Sequence, residues 1–312
     1  MQVEATTTLR RIAISPARFF QLALVSTAAL WLIVVTGAAV RLTGSGLGCR
    51  HWPGCERGNP LPEKDYHAFI EFGNRAIGGV TIVLVLLVWL AATRTVGLPR
   101  GDRRLALGIF LGTLAQAPLG YLAVQTDLRW PVVASHLLLS MVVLAGAVVL
   151  VLDAYGLRSG RAEPFVPVEA RRLSLVVAAS CLVLLVSGTL ATAAGPHSGG
   201  GAEHVDRLWR LQPLVYVHAV AVGIFGLSLV FLLGYLASQR ARWPRVFHLG
   251  AAVLGLLVVQ MALGEIQYRT HLPWPLVLVH VGIAAAVWAA LVGFVTVLWR
   301  PPAGLCSGPH VD

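Results

Sequence analysis

Eight long apolar segments dominate this sequence and restrict what it can fold into. Each is about 20 residues long, the length of α-helix that crosses a hydrocarbon core of roughly 30 Å. The predicted spans are residues 20–41, 67–93, 104–125, 132–153, 173–193, 212–237, 247–267 and 275–299. Because backbone polar groups in lipid must bond within their own segment, such runs form helices. We therefore predict an all-α integral membrane protein with eight transmembrane helices.

The composition excludes most soluble classes of protein. Of the 312 residues, 57% are hydrophobic and 12% are charged, about half the ~25% charged residues of a soluble domain. This excludes a disordered chain, a secreted disulfide scaffold and an ordinary cytosolic enzyme.

The net charge of +10 raises the question of nucleic-acid binding, which the position of the basic residues answers. Fifteen Lys and Arg residues lie in the N-terminal tail, in alternate connections between spans and at Arg300, against eight in the other connections. The positive-inside rule therefore predicts a multi-pass plasma-membrane protein with both termini in the cytoplasm. The basic charge indicates topology and contact with membrane lipid, and we expect no nucleic-acid partner.

An internal repeat divides the chain into two halves. Residues 116–136 read QAPLGYLAVQTDLRWPVVASH and residues 260–280 read QMALGEIQYRTHLPWPLVLVH, at a constant offset of 144. Each half begins on the same side of the membrane and has four spans, so the repeats run parallel. We predict two pseudo-symmetric four-helix bundles side by side. The predicted boundaries are an N-terminal bundle at 1–155, a cytoplasmic linker at 156–172, a C-terminal bundle at 173–300 and a cytoplasmic tail at 301–312.

Two histidines in the second half form a candidate metal site. The offset of 144 pairs His136 with His280 and Asn74 with His218. His218 lies roughly 9 Å inside its span at 1.5 Å per residue, and His280 lies at a similar depth. Facing imidazoles at equal depth suit a haem with two axial histidines, whereas zinc normally needs a third or fourth ligand. The alternative is a structural hydrogen bond between helices.

Glu71 is the acidic residue set well inside the first bundle. An ionisable group in a span is costly and is a functional candidate by default. Helical spacing places Glu71 on one face with His67, Asn74 and Arg75. The alternative is a structural ion pair between Glu71 and Arg75.

Cys49 and Cys55 lie in the first outer loop, within CRHWPGC. That side of the membrane is oxidising, and a turn at Pro53-Gly54 would bring the two thiols together, so we predict a disulfide. Two free thiols or a metal-binding pair are the alternatives.

Together, VTGAAVRLTGSGLGCRHWPGC, IEFGNR and the spaced His136, His218 and His280 resemble the heme A synthase family over residues 20–300. The resemblance implies a C-terminal bundle that holds a haem b cofactor between His218 and His280. It also implies an N-terminal bundle that binds haem O at His136, with Arg75 and Asn74 in the substrate site. The enzyme would oxidise a porphyrin methyl group to a formyl group, making haem A for cytochrome oxidase. Glu71 would be catalytic, and the cysteine pair would form a disulfide.

Further partners follow from the same resemblance. A haem O synthase would supply the substrate, and an electron acceptor such as a quinone would take the electrons.

The sequence departs from the family at one residue. The motif reads Glu71-Phe72-Gly73-Asn74-Arg75, with Asn74 where the family often has His. Substrate iron would then have His136 as its one protein imidazole. The opposite face would either stay open or carry a ligand that Asn74 holds by a hydrogen bond.

Two other functions fit parts of the sequence. A membrane b-type cytochrome exchanging electrons with a quinone would share the C-terminal haem but would not need Glu71. A transporter built on parallel repeats would show broken helices and charges at the midplane, whereas these polar residues cluster near the outer third.

Overall fold

The computed structural model describes residues 13–49, 51–52, 54–56, 58, 61–62, 65–200 and 205–306. Its helices are α1 (Pro16–Leu42), α2 (Tyr66–Arg94), α3 (Arg100–Leu114), α4 (Gln116–Gln125), α5 (Trp130–Ser159), α6 (Val168–Ala194), α7 (Leu211–Ser238), α8 (Pro244–Arg269), α9 (Trp274–Trp299) and α10 (Ala303–Cys306). Among these residues there is no β-strand, and the β structure is confined to isolated bridges such as Ile14–Thr95 and Arg161–Pro302. With α3 and α4 counted together, eight segments are long and apolar enough to cross a membrane. The predicted all-α fold with eight spans is confirmed.

Local signals fix where the helices begin. The Ser15 hydroxyl accepts a hydrogen bond from the Arg18 N–H at 3.4 Å, and the Asp65 carboxylate accepts one from the Ala68 N–H at 3.0 Å. Such caps satisfy backbone donors that have no partner inside the helix. Proline occupies the first turn of α1, α5, α8 and α9, where its missing N–H is not needed.

The third span is broken, which the hydrophobic pattern does not predict. Residues 104–125 form two helices, α3 and α4, separated at Ala115. Pro118 has no N–H to donate to the carbonyl of Leu114, and its ring disfavours a continuous helix. The equivalent position in the repeat is Ala262, and α8 runs unbroken.

The helices of each half contact one another in a closed ring. In the first half α1 contacts α2, α2 contacts α3, α3 contacts α5, and α5 contacts α1. In the second half the ring is α6, α7, α8 and α9. Among the described residues the backbones of α2 and α5 do not contact each other, nor do those of α7 and α9. These two pairs are therefore diagonal, with the interior of each ring between them.

The halves join along α1, α5 and α9, with a further contact between α5 and α6. The indole N–H of Trp31 on α1 donates to the carbonyl of Gly282 on α9 at 3.0 Å. The indole N–H of Trp288 on α9 donates to the carbonyl of Met141 on α5 at 2.9 Å. Hydrogen-bonded indoles thus supplement apolar packing at this interface.

The connections between the helices lie at two opposite faces of the molecule. The disulfide face has the connections 43–65, 126–129, 195–210 and 270–273, and the linker face has 95–99, 160–167 and 239–243. Because α5 and α6 extend into the predicted linker, its non-helical part is 160–167.

The repeated segments share their backbone structure at the disulfide face. Asp127 and Leu128 in one connection and His271 and Leu272 in the other all have positive φ, between 50° and 64°. The Leu128 N–H donates to the Ala123 carbonyl at 2.8 Å, and the Leu272 N–H makes the equivalent bond at 2.7 Å. The sequence repeat is therefore a structural repeat at these turns, while symmetry of the whole bundles stays a prediction.

Candidate functional site

His218 on α7 and His280 on α9 lie on diagonally opposed helices of the second half. Among the described residues no group of three or more His, Cys, Asp or Glu side chains could hold a metal ion. Two imidazoles on facing helices suit a group that takes two protein ligands, as haem iron does.

A serine fixes the orientation of the His218 ring. The Ser187 hydroxyl on α6 donates to the Leu184 carbonyl at 2.8 Å and lies 3.1 Å from Nδ1 of His218. Because the serine proton is already used, Nδ1–H of His218 is the donor in the second bond. Nε2 then keeps its lone pair, which is the form that ligates a metal.

Glycines on the neighbouring helices pack against both imidazoles. A Cβ atom at Gly188 on α6 would lie 2.9 Å from Cε1 of His218, and one at Gly264 on α8 would lie 3.1 Å from Cε1 of His280. Any larger residue would push the ring out of place. Nδ1 of His280 is buried and has no hydrogen-bond partner among the described residues. These features fit the predicted haem ligands.

The first half brings His136 and Asn74 to the equivalent diagonal positions. His136 on α5 has a buried Nδ1 without a partner among the described residues, and a Cβ at Gly120 would lie 3.8 Å from its Cε1. Asn74 on α2 accepts a hydrogen bond at Oδ1 from the Thr36 hydroxyl at 2.8 Å. The glycine contact is looser here than in the second half.

Thr36-Gly37 on α1 and Ser187-Gly188 on α6 are equivalent pairs that sequence analysis missed. In each half the hydroxyl bonds the residue at the ligand position, Asn74 or His218, and the glycine packs beside it. The offset is 151 instead of 144, because the connection 43–65 is seven residues longer than the connection 195–210. The similar sequences VVTG at 34–37 and LVSG at 185–188 could have revealed this equivalence.

Glu71 and Arg75 connect α2 to the loop that contains the cysteines. Oε2 of Glu71 accepts a hydrogen bond from the Cys49 N–H at 2.7 Å, and Oε1 pairs with Arg75. Arg75 also donates to the carbonyls of His51 at 2.6 Å and Gly54 at 2.7 Å. Glu71 is 5% exposed. The ion pair considered from the sequence is therefore present, and a catalytic role for Glu71 stays a prediction.

Cys49 and Cys55 form the predicted disulfide, and both are fully buried. Neither the free-thiol nor the metal-pair alternative holds. Gly48 permits the arrangement, because a Cβ there would lie 2.6 Å from the backbone carbon of His67. This close approach of the loop to α2 brings the Cys49 N–H to Glu71.

Comparison with known proteins identifies the family. Residues 20–65 and 56–292 match the COX15-CtaA family model, described as cytochrome oxidase assembly protein. The chain belongs to the COX15-CtaA family. It is 26% identical to the heme A synthase of Shewanella oneidensis over 313 aligned positions, covering 86% of this chain and 93% of that protein. It is 29% identical to the heme A synthase of Symbiobacterium thermophilum, covering 86% and 91%.

A third relative carries a different name. The protoheme IX farnesyltransferase of Thermus thermophilus is 30% identical over 292 positions, which cover 86% of this chain and 46% of that protein. More than half of that relative therefore lies outside the match. The resemblance to heme A synthases noted from the motifs is confirmed, with similarity over most of the chain.

Proposed function

We propose that this chain is a heme A synthase, which oxidises a porphyrin methyl group of haem O to a formyl group. The observation that carries the proposal is the arrangement of His218 and His280 across one ring of helices, and of His136 and Asn74 across the other. Membership of the COX15-CtaA family and two relatives named heme A synthase support the same activity.

The second half is the proposed site of the haem b cofactor, with His218 and His280 as its two ligands. Haem b supplies one-electron transfer when it is bound. Ser187 holds the His218 ring in the tautomer that keeps Nε2 available. Gly188 and Gly264 leave space beside the two rings.

The first half is the proposed site of the substrate haem O. His136 would ligate its iron, and Asn74 would face the other side of the ring with its amide held by Thr36. Arg75 belongs to this site through the loop it holds. Glu71 would act near the reacting methyl edge as a proton acceptor or as a stabiliser of developing positive charge. Each carboxylate oxygen has two acceptor positions, so the bonds from Cys49 and Arg75 leave further positions for a proton.

The electrons must leave the site. With water as the oxygen source, conversion of a methyl to a formyl group releases four electrons and four protons. We propose that a quinone in the bilayer is the electron acceptor.

A haem farnesyltransferase is the proposed partner upstream. The Thermus thermophilus relative is named for farnesyl transfer to protoheme IX, and this chain matches less than half of it. A haem O synthase acting beside this chain would transfer the hydrophobic substrate within the membrane.

The proposed location is the plasma membrane, with both termini in the cytoplasm and the disulfide face outside. The excess of Arg at the linker face supports this orientation, as does the disulfide, which persists on the oxidising side.

Haem extraction from cells tests the function directly. Cells that make haem O but no haem A would express the chain, and the extracted haems would be separated by chromatography. We expect haem A with the unchanged chain and haem O alone with His136→Ala. The appearance of haem O alone with the unchanged chain, together with a normal haem b spectrum, would favour a b-type cytochrome instead.

Histidine variants test the cofactor assignment separately. The purified chain should show a low-spin b-type spectrum, and His280→Ala should lose it, whereas His136→Ala should retain it. A normal spectrum in the double variant His218→Ala/His280→Ala would disprove the ligand assignment.

A further inference from the structure

A cavity of about 990 Å³ opens at the disulfide face of the second half. Its wall includes the last residue of α6, Ala194, and the first residue of α7, Leu211, and Leu272 in the connection before α9 also lines it. The cavity thus lies at the end of the same ring of helices that carries His218 and His280.

The depth of the imidazoles places them below this cavity. Ala194 lies six residues after Gly188, which packs against His218, and Leu211 lies seven residues before His218. At 1.5 Å per residue these separations are roughly 9–10 Å along the helix axis. The cavity is therefore about two helical turns from the histidine pair.

The wall of the cavity is basic. Arg207, Arg210 and Arg269 line it, with Glu265 as the one acidic residue among the described lining residues. Glu265 pairs with Arg269 at 2.5 Å, and Arg207 donates to a backbone carbonyl, that of Pro196, at 3.2 Å. Among the described residues that line the cavity, no carboxylate pairs with Arg207 or Arg210. The first turn of α7 follows Arg210 and has no side-chain cap, so its N–H groups add positive potential.

The three arginines of the wall have no basic counterpart at the repeat offset. At the offset of 144, the positions of Arg207, Arg210 and Arg269 correspond to Glu63, Tyr66 and Gln125 in the sequence of the first half. None of these three is a cation.

We infer that this cavity receives the propionate carboxylates of the haem held by His218 and His280, with Arg207 and Arg210 as their partners. The inference rests on the proposed haem b site. Both propionates lie on one edge of a porphyrin, so the ring would stand with that edge toward the disulfide face. Charge-assisted bonds to arginine are strong and directional. A cofactor held by such bonds is retained.

Esterified haem provides the decisive test. The purified full chain, produced without haem, would be loaded with haem b or with its dimethyl ester, and the affinity measured from the low-spin spectrum. We expect the unchanged chain to bind the ester roughly tenfold or more weakly, as for loss of a charge-assisted hydrogen bond. The variant Arg207→Gln/Arg210→Gln should bind haem and ester alike. Arg129→Gln, an exposed arginine at the same face of the first half, is the matched control and should discriminate normally.

A redox titration gives a second readout. Removing two positive charges near the iron should lower the midpoint potential of haem b in Arg207→Gln/Arg210→Gln, because the ferric state carries the extra positive charge. Arg207→Lys/Arg210→Lys keeps the charge and should restore the potential.

An anionic lipid headgroup is the alternative ligand for Arg207 and Arg210. The ester experiment would be repeated in phosphatidylcholine vesicles with and without phosphatidylglycerol, and the preference for haem should persist in both. Equal binding of haem and ester by the unchanged chain, with a normal low-spin spectrum, would overturn this inference alone. Equal binding accompanied by loss of phosphatidylglycerol binding in the arginine variant would instead identify a lipid site. Failure of the unchanged chain to bind haem would overturn the haem b proposal as well.

Discussion

At the scale of single residues, the two halves use one hydroxyl position in opposite ways. Ser187 accepts a hydrogen bond from Nδ1–H of His218, whereas Thr36 donates one to Oδ1 of Asn74. A hydroxyl can do either because it has one proton and two lone pairs. The replacement of an imidazole by an amide at position 74 is therefore accommodated without an unpaired group beside Thr36.

The Ser187–His218 bond should tune haem b. Ser187→Ala removes the hydroxyl that accepts from Nδ1–H, which makes the imidazole a poorer electron donor to ferric iron. We expect a higher midpoint potential and roughly tenfold weaker haem b binding, as for other partners of metal-ligating histidines. Redox titration and haem retention on gel filtration measure the two effects. Ser187→Thr keeps the hydroxyl, as Thr36 does in the first half, and should behave like the unchanged chain; equal potentials in all three proteins would disprove the role.

Substitutions at Glu71 can distinguish a catalytic role of its carboxylate from a structural one. Glu71→Gln retains an acceptor for the Cys49 N–H but removes the charge that pairs with Arg75. We expect haem A formation to fall by at least about tenfold, as for loss of a general acid–base group, while the haem b spectrum stays normal. Arg75→Gln is the companion variant, because it breaks the same ion pair without removing the carboxylate. If Glu71→Gln makes haem A at the normal rate, the carboxylate serves only to hold Arg75 and the loop.

At the scale of helices, the sequence predicts the spans well and their contacts poorly. Hydrophobic runs and the repeat are one-dimensional signals, so all eight spans and the positions of His218 and His280 follow from them. The break at Ala115 depends on one missing N–H at Pro118, which a hydrophobicity pattern does not register. The glycine beside each ligand position is a contact between helices, which a one-dimensional pattern does not show. For Gly37 and Gly188 the shifted offset also hides the match from a fixed alignment.

The glycine contacts predict an asymmetry between the halves. Gly188→Ala would place a Cβ 2.9 Å from the His218 ring, whereas Gly37→Ala would place one 3.9 Å from Oδ1 of Asn74. The first distance forces the ring to move while Ser187 holds Nδ1, and the second is ordinary van der Waals contact. We expect Gly188→Ala to lose or shift the low-spin haem b spectrum and Gly37→Ala to preserve it. Absorption spectra of both purified variants decide the matter, and a normal spectrum for Gly188→Ala would refute the proposed ligand geometry.

At the scale of the whole molecule, hydrogen bonds and ion pairs connect the linker to both halves. Asp153 on α5 is 2% exposed and binds Arg161 in the linker at 3.0 Å and Arg300 after α9 at 2.9 Å. The Ala162 N–H donates to the Pro301 carbonyl at 2.9 Å, and the Ala303 N–H donates to the Gly160 carbonyl at 2.9 Å. The linker is therefore paired with the segment that follows α9, which couples the ends of both halves at this face.

Removing the carboxylate of Asp153 should let the linker separate from the segment after α9 without unfolding the bundles. Each hydrogen bond to a charged group contributes about 1.5–3 kcal/mol. The contribution is smaller here because the side chains of Arg161 and Arg300 are 40% and 52% exposed. A net loss of about 1.4 kcal/mol would raise the open population of the linker roughly tenfold.

Trypsin measures that opening, because it cuts after Arg161 once the linker separates from Pro301. In inverted membrane vesicles, Asp153→Ala should be cut into its two halves roughly tenfold faster than the unchanged chain. Glu265→Ala is the matched control, since its partner Arg269 is 76% exposed and such pairs contribute little. In intact spheroplasts neither variant should be cut at the linker, because the proposed orientation puts it in the cytoplasm. Cleavage there would reverse the topology, and equal rates for both variants in inverted vesicles would show that Asp153 does not hold the linker.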